Sequence, residues 1–193
     1  MEKLDLEKTV DLETARNRRK ILLQAMSELE ERSVHCKDCT GLCCTFVANS
    51  VQTTPLETLE ILLYLKRENR LNDTLKQRLT ATVARYRLDS EIPGNGARSF
   101  VRRTYTCPFF GDPQGGCSLS RSVKPYGCLG FNPSQTRVVE GEQCGSNIPL
   151  LEKREAAFAE DEQTRNHHIR SFYKLDWEKK PMPAGLLELM ALL

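Results

Sequence analysis

The sequence predicts a mainly α fold with short strands, built as a small helical domain carrying a long N-terminal helix and a C-terminal helix. Two observations predict the helices: charge-rich stretches with apolar residues at helical spacing, and clear helix-start signals in the middle of the chain. A third sets the character of the domain. The 193-residue chain carries eight cysteines, gathered in two sets that are separated by two expected helices and by nothing that looks like an independent domain.

From about Asp5 to Val34 the residues Leu12, Ala15, Leu22, Met26 and Leu29 recur at helical spacing among charges, the pattern of one long amphipathic helix with a narrow apolar stripe. The character changes at His35, where HCKDCTGLCC begins and Gly41 suits a tight loop or short helical turn. A short strand is expected around Thr45 to Val51. Thr54-Pro55-Leu56-Glu57 then spells a capping box with proline at the first helical position, so a helix should run from Pro55 to about Glu68. Asn72 or Asp73 can cap a second helix through Leu75, Leu79, Val83, Ala84 and Tyr86 to about Leu88, and the two are expected to form a helical hairpin.

Asp89 to Arg98 is a turn-rich linker containing EIPGNG, and Phe100 to Thr106 reads as a short strand leading into Cys107-Pro108. From Cys107 to Cys144 there are four prolines, six glycines and no sustained helical period, so this segment is expected to hold its shape through something other than apolar burial. Helix returns from about Pro149 to Tyr173. Pro181 to Pro183 interrupts it before the apolar tail GLLELMALL, which reads as a core or partner-docking helix rather than a lipid anchor. The resulting division is an N-terminal amphipathic helix over 1–34, a cysteine-rich domain over 35–146 and a C-terminal helical extension over 147–193.

Composition excludes several classes. Hydrophobic residues make up 39% and charged residues 28% of the chain, and no run approaches the roughly 18 apolar residues of a membrane span. A net charge of +2, from 28 Lys and Arg against 26 Asp and Glu, supplies no field for nucleic acid or an anionic membrane, so no nucleic-acid partner is expected. The opening MEKLDLEKTVDLETARNRRK lacks the apolar core and cleavage site of a secretory signal, which points to the cytoplasm. In that reducing compartment clustered thiols read as metal ligands rather than disulfides. A protein partner is expected, if anywhere, along the N-terminal helix or the C-terminal tail.

Cys36-Lys37-Asp38-Cys39 is a C-x2-C knuckle, whose thiolates converge on one tetrahedral ion, and Cys43 adds a third after three residues. Cys44 differs, because adjacent side chains diverge. It can serve a second site, bridge two metals, lie just behind the ligands or be a buried structural thiol. The second set is Cys107, Cys117, Cys128 and Cys144. Four plus four permits two zinc sites; it equally permits a 4Fe-4S cluster with a second cluster, a zinc or spare redox thiols. The helical domain is thus expected to wrap around a cysteine-ligated metal site, with all eight cysteines as candidate ligands.

The order of these motifs resembles the YkgJ family of cysteine-cluster proteins, a zinc- or iron-chelating domain related to flagellin lysine N-methylases. The matching pieces are Cys36, Cys39, Cys43 and Cys44; Thr54-Pro55-Leu56-Glu57; Cys107-Pro108-Phe109-Phe110; Cys117-Ser118-Leu119; and Lys124-Pro125-Tyr126-Gly127-Cys128. The resemblance spans Cys36 to Pro133, about half the chain. Lys124 stands where the family usually has arginine, Leu129 replaces the arginine after the last motif cysteine, and Asn132 intervenes between Phe131 and Pro133. Lysine lacks arginine's two-pronged donor geometry, so carry-over of anion recognition is in doubt while metal binding is not.

The resemblance implies a cysteine-rich protein holding zinc or an iron-sulfur cluster in a structural, redox or metal-handling role. The alternatives are an iron-sulfur-dependent protein-modifying enzyme, as the methylase relationship implies, and a zinc-stabilised interaction module. His35 is a lesser ligand candidate beside the thiols, and His167 and His168 read as part of a solvated helix face. Arg98, Arg102, Arg103, Arg121, Lys124 and Arg137 are candidates for a basic rim that favours thiolates. Tyr105, Phe109, Phe110 and Tyr126 read as apolar packing around the site. No nucleotide-binding glycine loop, zinc-protease helix motif or nucleophile elbow is present.

Overall fold

A computed structural model describes residues 6–32, 41–90, 102–111, 116–133 and 144–193. Cys36, Cys39, His35, Arg98, Arg137, Phe100 and most of the EIPGNG linker lie outside the described residues. The fold is mainly helical with a few short strands, as the sequence predicts. No helix among the described residues is long and apolar enough to cross a membrane.

The expected N-terminal helix is two pieces, α1 (Leu6–Thr9) and α2 (Leu12–Glu31). Asp11 makes the break: in extended backbone, its carboxylate accepts from Thr14 N–H at 2.9 Å and from Glu13 N–H at 3.3 Å, restarting the helix. The predicted stripe is right at Ala15, Leu22 and Met26, which are buried. Arg18 and Arg19 are buried between them, which an apolar stripe does not foretell.

Helix α3 (Pro55–Arg67) has the full capping box, Thr54 and Glu57 exchanging their reciprocal bonds. Leu56, Leu59, Ile61, Leu62, Leu63 and Leu65 are all buried, and so are Glu57 and Glu60. A helix covered on every face is the centre of its domain. Around it stand α1, α2, α6 (Ile148–Tyr173) and α7 (Met182–Leu192).

Helix α4 (Asp73–Tyr86) begins at Asn72, whose side chain caps Leu75 N–H, and buries Leu75 and Leu79. The expected α3–α4 hairpin is not the principal packing. Helix α7, from the far end of the sequence, packs against both α3 and α4 and provides the main surface that each meets. The reason is hydropathic: Leu186 and Leu189 are 0% exposed, so the GLLELMALL tail is a core helix. Leu6, Val10, Leu59, Leu79, Phe109 and Leu186 share one apolar core, so residues from both ends of the chain and from the cysteine-rich middle contribute to it.

The strand expected at Thr45–Val51 is mostly turn. Only β1 (Gln52–Thr53) forms, paired antiparallel with β4 (Lys180–Pro181), which brings the end of the chain to the start of α3. A second small sheet joins β2 (Phe131–Pro133) to β3 (Cys144–Ser146), with the short helix α5 (Tyr126–Leu129) just before it. Tyr105, Phe109, Leu119, Val123 and Leu129 are buried, correcting the expectation that this irregular region lacks apolar anchors of its own. Burial without a helical or strand period is invisible to pattern reading, because isolated side chains reach a core built by distant helices.

Candidate functional site

Three short chain segments bring the described cysteines toward one another. The first is a 3-10 turn, Leu42–Cys44, entered through Gly41 at φ +75°, with Cys44 N–H donating to Gly41 C=O at 2.7 Å. Cys43 and Cys44 have their sulfurs 3.9 Å apart. Cys44, like Cys117, packs against the apolar core that includes Cys107, and Cys43 lies in the field of Lys124 and acts on Cys107 and Cys128.

Gly41 is required twice over. A Cβ there would sit 2.1 Å from two atoms of the Phe110 ring, and a left-handed φ is costly for any residue with a side chain. Gly41→Ala is therefore expected to lower folding stability by about 1–3 kcal/mol and to loosen the contact between the two cysteine segments. Equilibrium urea unfolding measures the first effect, and protection of the Cys43 thiol from alkylation measures the second.

The second segment runs alongside the first. Cys107 N–H donates to Cys44 C=O at 2.7 Å, and Tyr105 N–H to Asn49 C=O at 2.9 Å, while the Asn49 amide donates back to Tyr105 C=O at 2.9 Å. The strand expected over Phe100 to Thr106 is thus, from Arg102 onward, extended chain docked on the first segment rather than a ladder member. A bridge between Phe110 and Cys117 folds the chain back beside Cys107. Two arginines fasten this turn, Arg70 from the α3–α4 connection and Arg78 from α4: Arg70 donates to Ser118 C=O at 2.7 Å and to Ser118 Oγ at 2.8 Å, and Arg78 to Pro108 C=O at 3.2 Å.

The third segment, Val123 to Leu129, carries Lys124 and Cys128. Arg19 Nε donates to Lys124 C=O at 2.7 Å, and Glu57 accepts Tyr126 N–H at 3.0 Å. The Tyr126 ring lies between two guanidinium groups, Arg154 at 3.3 Å and Arg19 at 4.6 Å from its centroid, and its hydroxyl donates to Glu162 at 2.6 Å. Glu60 pairs with both Arg18 and Arg19, and Arg154 with Glu162. Burial disfavours the charged form of Arg18 and Arg19, but the Glu60 carboxylate outweighs it and holds both firmly protonated. Burial pushes the Glu57 carboxyl up, against the pull of Arg19.

Cys107 and Cys128 lie in the field of neighbouring thiols. Burial, then Cys117, pushes the Cys107 thiol up to about 12. Burial and the thiols of Cys107, Cys117 and Cys43 raise Cys128 well above the ordinary range. Hydrogen bonding with Cys44, then burial, raises Cys43. The Lys124 ammonium opposes all three shifts. Of these thiols Cys107 is buried and Cys43, Cys117 and Cys128 are half-buried; thiolates are soft donors. Among the described residues no group of three or more His, Cys, Asp or Glu side chains already stands in metal-holding geometry.

The other candidates sort clearly. Cys144 is half-buried in β3, opposite Pro133, in the small sheet that follows Cys128. His167 and His168 are exposed on α6, as expected of a solvated face. Of the proposed basic rim, Lys124 faces the thiols, Arg121 pairs with Glu30 and Arg103 donates to Tyr86 C=O at 3.3 Å. Sequence reading missed Arg19 and Arg78, arginines on otherwise ordinary helices, and Arg70 in the α3–α4 connection. No family model, curated protein or solved structure matches the chain.

Proposed function

We propose that this protein holds a thiolate-ligated metal centre, zinc or an iron-sulfur cluster, in a structural, redox or metal-handling role. The observation that carries the reading is the docking of three cysteine-bearing segments, with Cys107 N–H on Cys44 C=O and the Phe110–Cys117 bridge folding back beside it, so that Cys107 and Cys128 lie in the field of Cys43, Cys117 and Lys124. Cys36 and Cys39, which precede Gly41 in the sequence, are further candidate ligands. The order of motifs that resembles the YkgJ family supports the same reading.

Cys43, Cys107, Cys117 and Cys128, with the Cys36–Cys39 knuckle, would hold the metal. Lys124 offsets part of the negative charge such thiolates accumulate. A bound zinc would supply folding energy, and a cluster would supply an electron-accepting centre. The chain's own contribution is to bury Cys107, to half-bury Cys43, Cys117 and Cys128, and to dock Cys107 on Cys44 through the backbone.

Anaerobic purification followed by metal, sulfide and absorption measurements tests this. Bound zinc, with a lower melting temperature after chelation, is the expected result for a structural site. Stoichiometric iron and acid-labile sulfide, with a broad absorption band near about 400 nm, is the expected result for a cluster. A protein with neither metal, its eight thiols freely titratable and its fold intact, would overturn the proposal.

A further inference from the structure

Arg19 lies on α2, far in sequence from every cysteine of the second set, yet it is 0% exposed and reaches the segment that carries Cys128. Its Nε donates to Lys124 C=O at 2.7 Å and its Nη2 to Val123 C=O at 3.4 Å. Its Nη1 donates to Ala15 C=O at 2.9 Å and stands 2.6 Å from Glu60 Oε2. From the opposite side, Glu57 receives Tyr126 N–H at 3.0 Å while the same carboxylate closes the cap of α3. Residues 123–126 are therefore gripped by two helices immediately ahead of Cys128.

We infer that Arg19 is a positioning residue for the thiol cluster: seated on Glu60, it fixes the Val123 and Lys124 carbonyls and so sets where Lys124 and Cys128 stand. The inference rests on the metal-centre reading. Stability alone does not explain the arrangement. Well-packed apolar residues commonly replace buried ion pairs without loss, so a network of Arg18, Arg19, Arg154, Glu57, Glu60 and Glu162 is a poor choice for stability by itself. An apolar side chain in place of Arg19 would fill the space but offer the two carbonyls no donors. A planar guanidinium can engage two carbonyls and a carboxylate at once; a lysine ammonium cannot reproduce that fork.

Two variants of the full chain test it, Arg19→Lys, which keeps the charge and loses the fork, and Arg19→Met, which leaves Glu60 paired with Arg18. Cobalt(II) is the probe, with affinity measured by chelator competition and thiolate ligation by the sulfur-to-cobalt absorption per bound ion; circular dichroism reports the fold. The expected result is a folded variant whose cobalt affinity falls about 10- to 100-fold, the usual effect of losing a residue that orients a ligand, with a weaker absorption band per ion. A folded variant with wild-type affinity and spectrum overturns the inference, while Arg19→Met keeps the test open should Arg19→Lys not fold. Wild-type protein that takes up no cobalt overturns the metal-centre reading instead, and the two failures are told apart by that control.

Discussion

Glu60→Gln is expected to cost about 3–5 kcal/mol of folding stability, because it strands buried guanidinium charge rather than removing a pair. Glu60 is 0% exposed and is the carboxylate shared by Arg18 and Arg19, themselves 1% and 0% exposed. Glutamine preserves the volume and an acceptor but not the charge. Arg18 retains the more distant Asp161 and Glu162, at 3.5 and 3.9 Å, and Arg19 loses its nearest carboxylate, keeping backbone carbonyls, the Tyr126 ring and the field of Glu57. A domain has about 5–15 kcal/mol in all, so this one substitution removes a large share. Urea unfolding measures it, with Glu178→Gln as the reference: Glu178 is 85% exposed, its bond to Arg170 is 3.3 Å, and its loss is expected to cost less than about 1 kcal/mol. Equal losses for the two variants would show that the buried network carries no special burden.

Cys107→Ser is expected to abolish stoichiometric metal binding, and with it the difference in melting temperature between loaded and chelator-treated protein. Cys107 is 8% exposed, docked by its own N–H on Cys44 and within the field of Cys43, Cys117 and Cys128. Serine is close in size but is a poor ligand for a soft metal. Cys44→Ser is the informative partner. The Cys44 carbonyl, not its thiol, holds Cys107, and its sulfur packs on the apolar core, so this variant should keep its metal and lose only a little stability. Metal-to-protein ratios decide the matter, and full metal retention by Cys107→Ser would count against the proposed centre.

The Cys43–Cys44 pair also shows how far sequence reading reached. Adjacency alone said that the two side chains diverge, and left Cys44 open as a bridge, a second-site ligand, a neighbour of the ligands or a buried thiol. How the two stand toward Cys107 depends on the turn at Gly41 and on the docking of residues 105–107 against 44–49, both set by contacts between segments some sixty residues apart. The α3 start was legible because a capping box is local: Thr54, Pro55 and Glu57 suffice to specify it. The break at Asp11 was missed because a residue that caps one helix is compatible, in a charge-rich window, with the middle of a longer one.

By itself the sequence determined the helical class, the positions of α3, α4 and α6 to within a residue or two, and the set of thiols available for chemistry, because periodicity, caps and residue type are properties of neighbouring positions. Only the tertiary structure decided that the C-terminal tail packs on both α3 and α4, that buried Arg19 on α2 holds the segment ahead of Cys128, and that Cys107 docks on Cys44 through the backbone. Those outcomes depend on long-range burial and on pairing charges away from water, whose energies belong to the assembled core rather than to any stretch of chain.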